Sequence, residues 1–219
     1  MASQTVENYL KCIYALQQKS GEEVATNAIA ERLETKASSV TDMLKKLKAK
    51  DLVDYQKYKG ATLTKEGQRI AIDIIRRHRL WEVFLTKELN FSWDEVHDIA
   101  EELEHVESPQ LIKRLDAYLG NPKYDPHGDP IPDEYGNLRD ERDKILLSNL
   151  ELNQKGIVIG VEESSSEYLQ YLDSIGLTLG TSISVLERFP FDNSVKIKLN
   201  NQEFQVSLIV AQNLVIKPQ

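Results

Sequence analysis

Residues 26–63, TNAIAERLETKASSVTDMLKKLKAKDLVDYQKYKGATL, decide the fold. Ile29, Ala30 and Leu33 recur on one face of a short helix for which Thr26 is the expected cap. The brief turn ETK leads to Ser38, the expected cap of a further helix running to about Lys50, with Val40, Leu44 and Leu47 inward. Two short β-prone runs then flank Lys59 and Gly60, the pattern of a hairpin. A short helix, a tight turn, a second helix and a hairpin have the spacing of a winged helix-turn-helix. In that arrangement the first residues of the second helix meet base edges in the major groove, which here means Lys36, Ala37, Ser38, Ser39 and Thr41. Lys45, Lys57 and Lys59 fall where phosphates pass. Small hydroxyl side chains discriminate bases less decisively than Arg or Asn, so part of any selectivity falls to DNA shape.

Working outward, residues 3–19 read as a preceding helix with Val6, Tyr9, Leu10, Ile13, Tyr14 and Leu16 largely on one face, and the single Cys12 reads as a small core residue. Downstream, Thr64 is expected to cap a long helix over 65–89. The next stretch is dense in histidine and carboxylate: residues 76–109 read RRHRLWEVFLTKELNFSWDEVHDIAEELEHVESP and hold three of the four histidines. Ser92 with Glu95 makes a capping box, predicting a helix from Trp93 to about Val106. At ~100° per residue, His97, Glu101, Glu104 and His105 share one narrow arc, with Val96, Ile99, Ala100, Leu103 and Val106 opposite. His97 and His105 are ~12 Å apart along such an axis and cannot share one ion, so two sites are implied. Glu101, Glu104 and His105 at i, i+3 and i+4 converge on one. His78 and Glu82, again i and i+4, supply half of another. Mixed imidazole and carboxylate ligands suit Mn, Fe, Co, Ni or Zn better than Mg or Ca.

Ser108-Pro109 opens one more helix, ending before Gly120. The proline-rich loop NPKYDPHGDPIPDEYG, 121–136, carries Asp125 and His127 as further candidate ligands. Past a charged connector, GIVIGVE, SISVLERF, SVKIKL and EFQVSLIV read as strands of a small β-barrel, with a helix in SSSEYLQYLDSIGL. The fold class is therefore mainly α with a β-rich C-terminal domain, divided into a winged module (1–72), a helical middle domain suited to dimerisation (73–140), a linker (141–155) and a C-terminal domain (156–219). The 219 residues are 41% hydrophobic and 28% charged with net charge −8, which excludes a disordered chain and disfavours indiscriminate nucleic-acid binding. A basic module on an acidic body instead fits a binder of specific DNA sites. No apolar run reaches the ~20 residues of a membrane span, and the N-terminus lacks the regions of a signal peptide, so a cytoplasmic location without membrane partners is expected.

With these pieces in this order the chain resembles the diphtheria-toxin-repressor family of metal-dependent transcriptional repressors. VENYLKCIYAL, IAERLETKASSVTDMLKKLKAKDLV, LTKEG, RRHRLWEVFL, VHDIAEELEHV and DPHGDPIP carry the resemblance. It implies a winged-helix reader, a helical dimerisation domain with two metal sites and an SH3-like C-terminal domain. By position it implies a primary site of Asn8, Glu101, Glu104 and His105 and an ancillary site of His78, Glu82 and His97. Asp125, His127 and Glu167 are ligands in some relatives. Glu101 stands where iron-responsive members carry Cys, pointing to Mn²⁺ first and Fe²⁺ next. Two departures are Asn8, where Asp or Met is usual, and Lys11, which replaces an acid of short manganese regulators. The implied function is a non-enzymatic repressor controlling metal homeostasis, binding palindromic double-stranded operator DNA as a homodimer when metal-loaded. Rival readings are a di-iron carboxylate enzyme, suggested by the E-x-x-H of Glu102 and His105, and a winged-helix regulator answering a small organic ligand. The first needs a second E-x-x-H, which the sequence lacks.

Overall fold

The structure, a computed structural model, describes residues 3–21, 23–138, 140 and 142–219. The chain divides into two compact units. One takes in the chain up to His78 with Glu101–Pro109 and Pro132–Asn137; the other holds Arg79–Ala100, Gln110–Ile131 and Leu138–Gln219.

The first unit opens with α1 (Gln4–Ser20), capped by the Ser3 hydroxyl and closed by Gly21 in the left-handed conformation. α2 (Thr26–Arg32) and α3 (Ala37–Ala49) follow, then β1 (Val53–Gln56) and β2 (Gly60–Leu63). Neither Thr26 nor Ser38 is a cap: the cap positions are Ala25 and Lys36, without side-chain hydrogen bonds. The reason is tertiary. Val24 and Ala61 exchange backbone hydrogen bonds of 2.9 Å each, so the chain enters α2 from an extended residue. The amide of Thr35 closes the turn onto Ala30, which starts α3 early. Gly60 permits the bridge, because a Cβ there would stand 2.7 Å from the Val24 carbonyl oxygen. The β1–β2 pair is an antiparallel hairpin with Gln56 opposite Gly60, as expected of a wing. Leu10, Ile13, Ile29, Val40, Leu44 and Leu47 form a fully buried core under the module. α4 (Lys65–Leu89) starts where expected, with the Thr64 hydroxyl accepting from the Gly67 amide.

α5 (Val96–Leu103) is shorter than the predicted 93–106. The Glu95 carboxylate does accept from the Ser92 amide, but the next two carbonyls are spent elsewhere. The Trp93 carbonyl accepts from His127 Nε2 at 2.7 Å, and that of Asp94 from the Ser166 hydroxyl at 3.0 Å. At the other end the Val106 amide turns back to Leu103, so Glu104 and His105 lie just past the helix. α6 (Pro109–Tyr118) begins at the expected proline. Leu80, Val83, Ile112, Leu115, Leu119 and Ile131 make a small core in the second unit.

The same unit carries β3 (Ile145–Leu146), β4 (Lys155–Val161), α7 (Ser166–Ser174), β5 (Ser182–Arg188), β6 (Val195–Leu199), β7 (Gln202–Val206), α8 (Leu208–Asn213) and β8 (Leu214–Pro218). The strands form one antiparallel sheet in the order β3-β8-β4-β5-β6-β7. It is the SH3-like sheet that was expected, left open among the described residues because its end strands β3 and β7 are not paired with each other. The predicted strand EFQVSLIV splits at Ser207, whose hydroxyl caps α8. β8, absent from the sequence reading, pairs with both β3 and β4. The segment expected as a linker contains β3 and a 3₁₀ turn, and its Leu147 and Leu150 are wholly buried in the sheet's core.

Candidate metal centre

In the first unit the geometry centres on Glu104, of which only 1% is exposed. One carboxylate oxygen, Oε2, lies 2.6 Å from His78 Nδ1 and 2.6 Å from Lys11 Nζ; the other, Oε1, faces His105 Nε2 at 3.9 Å. Burial alone would raise this carboxyl's pKa, but the hydrogen bond from His78 and the Lys11 charge outweigh it and hold the group below its ordinary value. His105 Nδ1 lies 2.5 Å from Glu7 Oε2, and Arg77 pairs with the other Glu7 oxygen at 2.9 Å. Glu101 reaches Lys11 at 3.4 Å from a half-exposed position. α1 is thus tied to the segment after α5 by two contacts, a hydrogen bond between Glu7 and His105 and an ion pair of Lys11 with Glu104. Asn8, in contrast, is exposed and lines a cleft between α1 and α3 with Gln4, Thr5 and Ser39.

In the second unit Glu82, 2% exposed, faces His97 Nδ1 at 3.5 Å and His127 Nδ1 at 3.6 Å. Glu82, Asp125 and His127 are all buried and each offers a ligand atom within 4.8 Å of the others. The loop holding Asp125 and His127 is built. Asp125 Oδ1 accepts from the amides of His127 and Asp129, Arg79 Nε stands 3.4 Å from its other oxygen, and His127 stacks on Trp93. The Arg142 guanidinium ties the carbonyls of Gly128 and Ile159 together. Gly128 has φ +88°, and a Cβ there would lie 2.1 Å from the Ile159 carbonyl oxygen, so only glycine fits. Burial and the nearby Glu82 push Asp125 above the usual carboxylate range. Burial works against a charged His127, but its contacts with Glu82 and Asp125 prevail and push it up to about 9. Glu82, Asp125 and His127 have the donor types and the spacing that suit a divalent transition ion, whereas the Glu104 cluster has the same donor types with the Lys11 ammonium among them.

Residues 1–61 match the N-terminal DNA-binding domain of iron-dependent repressors, 64–133 their metal-binding and dimerisation domain, and 145–218 the FeoA domain. The chain is 32% identical to the diphtheria toxin repressor of Corynebacterium glutamicum, over 83% of each protein. The chain belongs to the diphtheria-toxin-repressor family. Its members are metal-dependent transcriptional repressors, not enzymes. A solved manganese-dependent transcriptional repressor in complex with manganese superposes with a TM-score of 0.87 at 35% identity, covering 98% of this chain and all of that one. The manganese regulator SloR follows at a TM-score of 0.78 and 34% identity, with 98% of each chain covered. The match to IdeR of Mycobacterium leprae, 36% identical, spans 58% of this chain and about half, 55%, of that protein.

On this family member's reading head, Lys36, Ser38, Ser39, Lys45, Lys57 and Lys59 are exposed, whereas Thr41 is half-buried with its hydroxyl bonded to the Ala37 carbonyl. Lys45 pairs with Asp42 at 3.1 Å. Glu167 lies exposed on the first turn of α7, outside the ligand groups found among the described residues. Sequence reasoning missed Glu7 and Arg77. The signal was available, since Glu7 stands three residues before Leu10 and seven before Tyr14, on the face that α1 buries.

Proposed function

We propose that this repressor is a homodimer that binds two-fold operator DNA when loaded with a divalent transition metal, Mn²⁺ first and Fe²⁺ next, and that it acts in the cytoplasm on metal homeostasis. The observation that carries the reading is the buried histidine–carboxylate group around Glu104, which joins α1 of the winged module to the segment after α5. Asn8, Glu101, Glu104 and His105 are the residues we assign to the primary ion, and His78, Glu82 and His97 those we assign to the ancillary one, with Asp125, His127 and Glu167 as further candidate ligands. The bound ion supplies a bridge between positions far apart in sequence. This chain's own residues then hold α1, and with it α3, in one orientation, so that two copies present α3 to grooves about 34 Å apart. Lys36, Ser38, Ser39 and Thr41 would meet base edges, and Lys45, Lys57 and Lys59 phosphates. We take 1–72 as the reader, 73–140 as the metal and dimer domain and the remainder as connector and C-terminal sheet. Among the described residues no helix is long and apolar enough to cross a membrane.

The test is selection from a random duplex library in Mn²⁺. Enriched sequences should be inverted repeats that a chelator releases, while tight, sequence-selective binding that persists in excess chelator would overturn the reading. Activation at saturating Mn²⁺, anaerobic Fe²⁺, Co²⁺ and Zn²⁺, in the wild type and in Glu101→Cys, separates the ions. A carboxylate at 101 should favour the harder ones.

A further inference from the structure

The Lys11 ammonium stands among the side chains assigned to the primary ion. Its Nζ is 2.6 Å from Glu104 Oε2, 3.4 Å from Glu101 Oε1 and 3.3 Å from His78 Nδ1, and its side chain is only 20% exposed. Three groups with the chemistry of metal ligands thus converge on one positive charge carried by the protein itself. We propose that Lys11 is a tethered counter-cation that holds this cluster together in the metal-free chain, and that an entering divalent ion must displace it from Glu104. The inference rests on the function proposed above.

The physical argument is electrostatic and steric. Glu104 is buried, so its charge needs a partner whether or not metal is present. An ammonium and a dication cannot both contact Oε2 without strong repulsion at so short a distance. Displacement by the ion removes one link between α1 and Glu104 and substitutes another. Lys11 therefore sets how much metal is needed before α1 is held by the ion rather than by its own lysine. A lysine acting only as a structural ion pair makes the opposite forecast, because its loss would loosen the cluster and weaken metal binding.

The experiment is calorimetric titration of MnCl₂ into the full chain as wild type, Lys11→Met, Lys11→Gln and Lys11→Arg, with the melting temperature of each metal-free protein. Methionine and glutamine keep most of the stem and remove the charge. The expected result is Mn²⁺ affinity raised at least tenfold in Lys11→Met, a lower metal-free melting temperature, and affinity at or below that of the wild type in Lys11→Arg. Should Lys11→Met fail to fold without metal, Lys11→Gln, whose amide can still donate to Glu104, carries the same expectation. Unchanged or weaker Mn²⁺ binding in the neutral variant overturns the inference alone, provided that wild-type binding is lost in His105→Ala. Wild-type Mn²⁺ heat that His105→Ala leaves untouched overturns the proposed function and this inference with it.

Discussion

The cluster around Glu104 and the cluster around Glu82 use the same side-chain types but balance their charge differently. In the first, fixed cations stand against the carboxylates: Lys11 on Glu104 and Arg77 on Glu7. In the second, Glu82 faces two imidazoles, and Arg79 divides itself between Asp125 and Asp129. The consequence is opposite titration behaviour, with Glu104 held below its ordinary pKa and Asp125 and His127 held above theirs. Equal donor chemistry therefore does not mean equal response. Glu104 is held by His78 together with the permanent charge of Lys11, whereas Asp125 and His127 of the second cluster are poised to keep their protons.

The largest expected effect separates the two in function. Glu104→Ala or His105→Ala should cost about 100-fold or more in Mn²⁺-activated DNA affinity, whereas Glu82→Gln or His97→Ala should cost less than about tenfold, measured by anisotropy against metal concentration. His78→Ala should fall near the first pair, because the His78 ring is hydrogen-bonded to Glu104. Equal losses across all five variants would erase the distinction.

A smaller effect isolates the second cluster structurally. Gly128→Ala forces a backbone shift at φ +88° against Ile159, with an expected cost of about 1–3 kcal/mol in denaturant unfolding and loss of one bound Mn²⁺ equivalent. Gly120→Ala, at φ +79° with open space around the added carbon, should be milder and leave the metal count intact. If both variants keep full stoichiometry, the 125–130 loop does not hold an ion.

The smallest effect is the pH dependence of the metal-free chain. A lowered Glu104 pKa contributes stability above the ordinary value of 4.5, lost as pH falls through the folded-state value. Raised pKa values act in the reverse sense. The Asp125 contribution, complete below 3.8, is lost as pH rises through about 7, and the His127 contribution, complete below 6.5, is lost as pH rises through about 9. Trp81 and Trp93 both lie in the second unit, so denaturation followed by their fluorescence should have a lower midpoint at pH 9 than at pH 6. A midpoint that rises with pH over this range contradicts the proton-poised account.

Much of the architecture was legible in local pattern. The wing, the Thr64 cap, the proline opening α6 and the apolar faces of α1 and α3 each depend on residues a turn or two apart. The misreadings also have local form and tertiary cause. Thr26 and Ser38 are good caps by type, yet the Val24–Ala61 bridge and the Thr35–Ala30 turn moved the helix starts. α5 lost its first turn because His127 and Ser166 took its carbonyls.

The sequence by itself determined the helices of the first two domains, the wing and which ligand chemistry is available, because helical periodicity and capping act over three or four residues. Only the tertiary structure decided which carboxylate meets which histidine. Glu7 and His105 are 98 residues apart, and Lys11 and Glu104 are 93. No local rule reaches across such intervals. Their meeting is set by burial of the α1 face, which carries Glu7 inward with Leu10 and Ile13, and a buried carboxylate must find a positive or hydrogen-bonding partner wherever the fold supplies one.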